Sequence, residues 1–446
     1  MMDYQLRVAT TDDAPGMLET QVGAFRDEEG TLRWERARSY CFDHTEEHVV
    51  MVDEGDRVVG LVHIGDHAIQ VGTCAVRKAD VGHVGVRPEL QGQGIGTRMM
   101  QKTAGWLREQ GYHLSRLGGL THFYSRFGYE PFPRRFVEID LQSVRGGGRG
   151  IPGSEIYEDP GEWPGRVRPY DPSRDFEDRA RLRWEYDHGR SGALVCSPDA
   201  EPPRHPAPPD PGGLHWVYEH EGEVLGHLHA VEAPLEPGEE TVFTLADFAY
   251  APDFPDAAGA LVRKLLSRVC QHGPARVTSR IPFDEAVAEA LQLAGVAHRR
   301  VEMYQAVASN MILVLDLAST LEAVAAELSR RISDSLVADW SGAIELSFPT
   351  RGTYRIDDPT QATAGDELPG EACRLVVDDG EVSVDAGPGP ADLQIELSQA
   401  QFVKSLFGIA ALGDLPCMRG IDLSPTWRGV IDALFPRLQA GSGPWG

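Results

Sequence analysis

Over the first 140 residues, short runs of alternating apolar and polar positions are interleaved with stretches in which apolar residues recur every three or four places. That pattern predicts strands alternating with helices. Strands are expected over residues 4–9, 48–53, 58–65 and 81–86, and a helix over 12–25 with Asp12 available as its N-cap. A further helix is expected over 97–108, with Met99, Met100, Ala104 and Trp106 as its apolar members. Asp53-Glu54-Gly55-Asp56 has the composition of a hairpin turn. This part of the chain reads as α/β.

Two breaks follow. From Arg145 to Gly165 the chain is rich in Gly and Pro, and Pro198–Gly213 contains seven prolines, too many for regular structure. Beyond the first break the opening order is replayed: a helix near 174–185, strands over 215–220, 223–231 and 245–250, a helix over 257–270, a strand near 276–280 and a helix over 284–294. From Met311 the pattern changes to a helix (320–338), five strands (343–348, 353–356, 373–377, 381–385, 392–397) and helices from Ser398, an α+β arrangement. The expected units are therefore 1–143, a linker 144–165, a second α/β unit 166–310 that lacks the glycine cluster of the first, and an α+β unit 311–446.

Composition agrees with about three domains for 446 residues, and 41% apolar with 25% charged residues is the balance of a globular protein. No apolar run is long enough to span a bilayer and the first residues lack the pattern of a signal peptide, so a cytoplasmic protein with no membrane partner is expected. Cys41, Cys74, Cys196, Cys270, Cys373 and Cys417 form no CxxC and no Cys/His cluster, so neither a disulfide framework nor a metal is expected. A formal charge of −26 argues against a nucleic-acid partner and suits a cationic substrate.

The chemistry-bearing segment starts at the strand Val81-Gly82-His83-Val84-Gly85-Val86, closed by Arg87-Pro88. Gln91-Gly92-Gln93-Gly94-Ile95-Gly96 follows at once and leads into the helix from Thr97. Strand, glycine turn and helix make an anion site: glycines let successive N–H groups converge on phosphate oxygens, and the helix start adds partial positive charge. An acidic protein can hold a polyanionic cofactor in this way. The second landmark is His122-Phe123-Tyr124-Ser125-Arg126-Phe127-Gly128-Tyr129-Glu130-Pro131-Phe132.

Gln91-x-x-Gly94-x-Gly96 after Val84-Gly85-Val86-Arg87-Pro88 resembles the signature of the GNAT acetyltransferase superfamily. The resemblance implies acetyl-CoA as co-substrate. Val84, Gly85 and Val86 would pair with the pantetheine arm, and Gln91, Gly92, Gln93, Gly94, Ile95, Gly96 and Thr97 would cradle the pyrophosphate. Gly119 and Leu120 would lie where two strands splay around the acetyl group, and Tyr124 would be the general acid toward the departing thiolate.

The order of the three units is similar to that of the Eis (enhanced intracellular survival) family, with Ala391–Ser398, Phe402–Gly408 and Ala433–Pro436 resembling its sterol-carrier-like third domain. This implies tandem GNAT folds followed by a sterol-carrier-like α+β domain, a homo-oligomer, commonly a hexamer, and an aminoglycoside or other small cationic amine as acceptor. It also implies the C-terminal carboxylate, here that of Gly446, as general base, although the tail Gly441-Ser442-Gly443-Pro444-Trp445-Gly446 departs from the family's aromatic ending. Phe25, Asp27, Glu28 and Trp34 would frame the acceptor, His83 could face it, and Trp216 is a candidate wall from the second unit. Two alternatives stand beside this reading: a protein or peptide N-acetyltransferase, and a non-enzymatic acyl-CoA- or lipid-binding regulator.

Overall fold

A computed structural model describes residues 4–140, 163–195, 214–232, 241–270, 275–279, 284–304, 309–349, 351–354, 362–368 and 370–438. The first unit runs β1 (Gln5–Val8), α1 (Ala14–Phe25), α2 (Leu32–Asp43), β2 (His48–Val52), β3 (Val58–Val71), β4 (Cys74–Val86), α3 (Ile95–Glu109), β5 (Leu114–Gly119), α4 (Thr121–Tyr124), β6 (Glu130–Pro131) and β7 (Arg134–Asp140). Strands β3 and β4 are longer than the expected 58–65 and 81–86. They form one hairpin paired from Gly60↔Val86 to Val71↔Cys74. Thr10, rather than Asp12, is the N-cap of the first helical turn, with Asp13 as the third residue of its capping box: the Asp13 carboxylate accepts from the Thr10 N–H (2.7 Å) and hydroxyl (2.9 Å), and it is gripped by Arg7 of β1 at 2.7 Å. Two adjacent aspartates look alike in a sequence pattern, and only the second reaches Arg7.

The second unit runs β8 (Arg166–Pro169), α5 (Pro172–Asp187), β9 (His215–His220), β10 (Glu223–Glu232), β11 (Thr241–Tyr250), α6 (Asp256–Cys270), β12 (Ala275–Ser279), α7 (Glu285–Leu293), β13 (Ala297–Met303) and β14 (Ser309–Val314). The two large sheets have the orders β1-β2-β3-β4-β5-β14-β6 and β8-β9-β10-β11-β12-β7-β13. These are the same order, with one strand traded between the copies. β7, which follows the first copy, pairs antiparallel with both β12 and β13. β14, which follows the second, pairs antiparallel with β5 and β6. The expected boundary at 143 thus falls just after β7 and that at 311 falls inside β14, strands whose partners lie in the other sheet, since alternation marks a strand but not its neighbour.

The third unit runs α8 (Leu317–Glu322), α9 (Ala325–Ser333), β15 (Gly342–Phe348), β16 (Arg351–Tyr354), β17 (Ala362–Leu368), β18 (Glu371–Asp378), β19 (Glu381–Ala386), β20 (Leu393–Glu396), α10 (Gln399–Leu406) and α11 (Pro425–Leu434), around a sheet of order β19-β18-β15-β20. The expected helix 320–338 is two short helices broken at 323–324 and ending at Ser333. Leu321, Val324, Leu328 and Ile332 keep one buried stripe across the break, so periodicity alone does not register it.

Packing follows the layers. Met99, Met100 and Leu107 of α3 are buried against one face of the first sheet, and Met17 and Cys41 of α1 and α2 against the other, with Val50 and Leu61. Full burial of such a Leu or Met contributes about 1.5–3 kcal/mol. The third unit shares its core with the far end of the first sheet: Ile69, Val71, Val76 and Leu114 pack in one cluster with Leu317, Leu321, Leu328, Ile344 and Phe402. Glu327 of α9 clamps the hairpin tip by accepting from Thr73 N–H (3.3 Å) and hydroxyl (3.1 Å), and it is paired to Arg331 (2.8 Å) and Arg330 (2.9 Å).

Candidate active site

β4 and β5 run parallel and are paired over four positions, Lys78↔Leu114 to Val81↔Leu117. There they part. β4 continues to Val86 with its other edge on β3, while Gly118 and Gly119 of β5 pair with Asn310 and Ser309 of β14. A wedge therefore opens between the two strands, and among the described residues no strand occupies the β5-side edge of residues 82–86. The edge of Val84–Val86 turned away from β3 borders it.

The glycine segment stands at the mouth of this wedge. Gly92 and Gly94 have φ of 76° and 79°, the left-handed region, and Gly94 is the N-cap of α3. A β-carbon at either would meet nothing within 4 Å, so the loop is open on its outer side. The first helical N–H groups have no intrahelical acceptor, and no acidic residue lies in the first turn. The side chains of Gln91 and Gln93 turn back to brace the loop, their Nε2 donating to Val86 O (3.0 Å) and Glu89 O (3.1 Å). Ile95 is buried in the core, Gly96 lies against Val86 and Phe123, and Thr97 is half-buried.

Across the wedge, Leu120 begins α4 and its carbonyl accepts from the N–H groups of Phe123 (3.0 Å) and Tyr124 (3.1 Å). That turn lays the Tyr124 ring on Gly119: a β-carbon there would stand 2.2 Å from Tyr124 Cε2. Phe123 meets the ring edge-on at 5.0 Å, and Tyr129 lies behind it at 6.2 Å, its hydroxyl bonded to Ser115 at 2.7 Å. Burial pushes the Tyr124 phenol up to about 12, so it stays protonated at neutral pH.

The residues expected to frame the acceptor lie at the end of α1, in the α1–α2 connection and at the start of α2. Phe25 lies beside Gly85, with its Cε2 at 3.8 Å from a β-carbon built there. Asp27 is paired to Arg33 at 2.9 Å and acts electrostatically on His83. Trp34 is half-buried near the start of α2, and the Glu28 side chain is exposed, its carbonyl accepting from Thr31. His83 carries an unexpected geometry. Between Gly82↔His63 and Gly85↔Leu61 strand β4 has one extra residue, and His83 in that bulge has φ of 47°. Of the five non-glycine residues with positive φ among those described, His83 alone lies inside a strand. Such strain costs about 1–3 kcal/mol and bulges re-aim side chains.

The residues beneath His83 were not anticipated. Tyr40 of α2 meets its ring at 4.7 Å, His63 of β3 at 5.5 Å, and His48 of β2 lies 5.0 Å from His63. His63 Nε2 is 3.0 Å from Glu47, and His48 Nδ1 is 3.0 Å from the His44 carbonyl. Burial, with His63 second, lowers both His48, to about 4, and His83. Below them β4 places a buried Lys78 at 3.0 Å from Asp80. The ligand-capable atoms of His44, Glu46 and Glu47 gather within 4.8 Å at the foot of this cluster, where Glu47 is engaged by both His44 and His63.

The second copy differs at the matching places. Its helix α6 begins with Asp256, and Trp163 packs on Gly259 in the first turn, so an aromatic ring stands over the helix start. Trp216, expected as a pocket wall, is instead buried in the second core, because its position on β9 faces inward between sheet and helices. Gly446 lies outside the described residues.

Residues 5–132 match the family described as the acetyltransferase (GNAT) domain. No curated protein matches the chain. The fold is similar over its whole length to a probable N-acyltransferase from Enterococcus faecalis, with TM-score 0.62 and 14% identity over 98% of both chains. It is also similar to a GCN5-related N-acetyltransferase from Anabaena variabilis (0.60, 14%, 99% of both chains). Eis1 from Mycobacterium abscessus is a third whole-chain likeness (0.55, 15%, 98% of this chain and 97% of that one). Residues 5–132 thus carry an acetyltransferase (GNAT) domain, and the chain shares with these structures a fold of two α/β units followed by an α+β unit.

Proposed function

We propose that the enzyme moves the acetyl group of acetyl-CoA to a primary amine of a small cationic acceptor, such as a polyamine or aminoglycoside. The observation that carries this reading is the wedge beyond Val81 and Leu117, with an open glycine loop on one lip and Tyr124 seated on Gly119 at the other. The pyrophosphate sits on the N–H groups of residues 92–97, the pantetheine arm lies along Val84–Val86, and the acetyl carbonyl reaches Gly119 and Leu120. The acceptor enters over Phe25, Asp27 and Trp34, where aromatic and acidic groups suit a cation. Whole-chain likeness to Eis1 supports an Eis-type arrangement in which residues 311–446 form a sterol-carrier-like unit and 166–310 a copy without cofactor.

Tyr124 acts on the leaving sulfur. A phenol near 12 cannot by itself hand its proton fully to a thiolate of ordinary pKa near 8.5, a step uphill by roughly 5 kcal/mol. It donates a hydrogen bond to the developing thiolate, and its proton moves as the attacking nitrogen loses one. Thiol release from acetyl-CoA against a panel of spermidine, kanamycin and a lysine peptide tests this reading. Spermidine or kanamycin should release thiol in wild type, with kcat reduced about 10²–10⁴-fold in Tyr124→Phe at unchanged acetyl-CoA affinity. No release with any amine, or an unaffected Tyr124→Phe, refutes it.

A further inference from the structure

We propose that His83 is the base that takes the proton from the acceptor ammonium, with His63 as its positioning residue. The inference rests on the acetyl-transfer reading of the wedge. It starts from the sheet register: the bulge and the left-handed backbone at His83 occur where β4 loses its β5 partner, between two glycines, Gly82 and Gly85, that leave the surrounding face without side chains. A histidine is thereby the one side chain β4 offers on the α1–α2 side at the level of the wedge.

The second copy shows what that position becomes when it is closed. Counting from the matched pairs Gly60↔Val86 and Gly226↔Tyr250, Val81–Val86 corresponds to Leu245–Tyr250, and His48 and His63 correspond to His215 and His229. The place of His83 is taken by Asp247, locked by Arg179 and Arg183, and Tyr170 stacks on His215 at 3.8 Å where the first copy has Ala9 beside His48. The same cross-strand histidine pair is thus sealed in one copy. In the first copy no arginine is paired to His83 among the described residues, and its ring is half-buried.

The groups facing His83 are Tyr40 from α2, His63 from β3 and Asp27, itself paired to Arg33, from the α1–α2 connection; His48 and Glu47 act through His63. Burial and His63 hold its pKa below the usual value, so His83 is neutral at pH 7 and able to accept. An amine of pKa near 10.4 is ionised in all but roughly one molecule in 2,500 at pH 7, so the bound ammonium must lose a proton before attack, and His83 receives it in an unfavourable pre-equilibrium on which the attack draws. One ring nitrogen of His83 takes a proton from R–NH3+. The free amine adds to the thioester carbonyl, the second nitrogen proton is lost as the C–S bond breaks, and the thiolate leaves as thiol through Tyr124. His83 returns its proton to solvent, so the sum is amide, thiol and one proton.

The experiment is the pH dependence of kcat/KM for spermidine with acetyl-CoA in wild type, His83→Gln and His63→Gln. Wild type should show an acidic limb. His83→Gln should lose it, fall about 10²–10⁴-fold at pH 7 and gain tenfold per pH unit as free amine appears, with coenzyme A affinity unchanged. His63→Gln should keep the limb but move it to higher pH, since a neighbouring potential cation is gone. A His83→Gln protein with the wild-type limb and a rate within twofold overturns the proposal. Absence of thiol release in wild type would instead remove the acetyl-transfer reading. In that case the NMR titration of the His83 ring, assigned by its loss in His83→Gln, still decides: a resonance unmoved by spermidine in the presence of coenzyme A overturns the role of His83.

Discussion

Gly119→Ala tests the geometry of the wedge more sharply than removal of Tyr124. The added carbon would stand 2.2 Å from Tyr124 Cε2, 2.7 Å from Cδ2 and 3.3 Å from Cζ, against an ordinary carbon contact of about 3.5–4.0 Å. The ring must therefore retreat by roughly 1.5 Å, and Phe123 at 5.0 Å and Tyr129 at 6.2 Å restrict where it can go. Overpacking of this kind costs about 1–3 kcal/mol in stability. A misplacement of about 1 Å at a reacting group costs on the order of 10² in rate. Initial rates of thiol release are compared in wild type, Gly119→Ala, Tyr124→Ala and the double variant. The single Gly119 change should lower kcat about 100-fold, yet have little further effect once the ring is absent. A Gly119→Ala penalty of equal size in both backgrounds would show that the ring is not what the glycine accommodates.

Gly94→Ala should raise the dissociation constant for coenzyme A about tenfold by calorimetry, because the residue must hold φ of 79° at a strain of about 1–2 kcal/mol while its surroundings leave room for the methyl; an unchanged constant refutes the cradle. Glu327→Gln should cost about 3–5 kcal/mol in urea unfolding, since it leaves Arg331 buried without its charge partner. Against burial, Arg330 and Arg331 hold the Glu327 carboxyl at about 2, below its ordinary 4.5. A depressed carboxylate stabilises the fold above its unfolded pKa and loses that contribution as pH falls from about 4.5 toward 2. Wild type should therefore lose more stability than Glu327→Gln on acidification through that window, and parallel curves would refute the clamp.

The parts of this enzyme legible in its sequence are those whose chemistry is local. Strand, glycine turn and helix are contiguous from Val81 to Glu109, and the turn that seats Tyr124 needs only Leu120 to Tyr124. Strand length was less legible, because residues 66–80 carry Asp66, His67, Arg77, Lys78 and Asp80, charges that read as solvent-facing; Lys78 is nevertheless buried against Asp80. The histidine cluster is spread over three strands, so no window contains it. Its one sequence signal is the register of the hairpins, which puts His48 opposite His63 and His63 opposite Gly82. The traded strands are invisible to any local pattern.

That trade bears directly on the wedge. β14 flanks the other edge of β5 from Leu114 to Gly119, and it arrives only after the whole second copy. The β5 side of the wedge is therefore backed by a strand from beyond residues 5–132, where the domain match ends. The first copy in turn supplies β7 to the second sheet, where Arg179 and Arg183 hold Asp247 and Asp284 accepts from Tyr186 at 2.8 Å. Through β14 the second copy thus backs the strand on which Gly119 seats the Tyr124 ring.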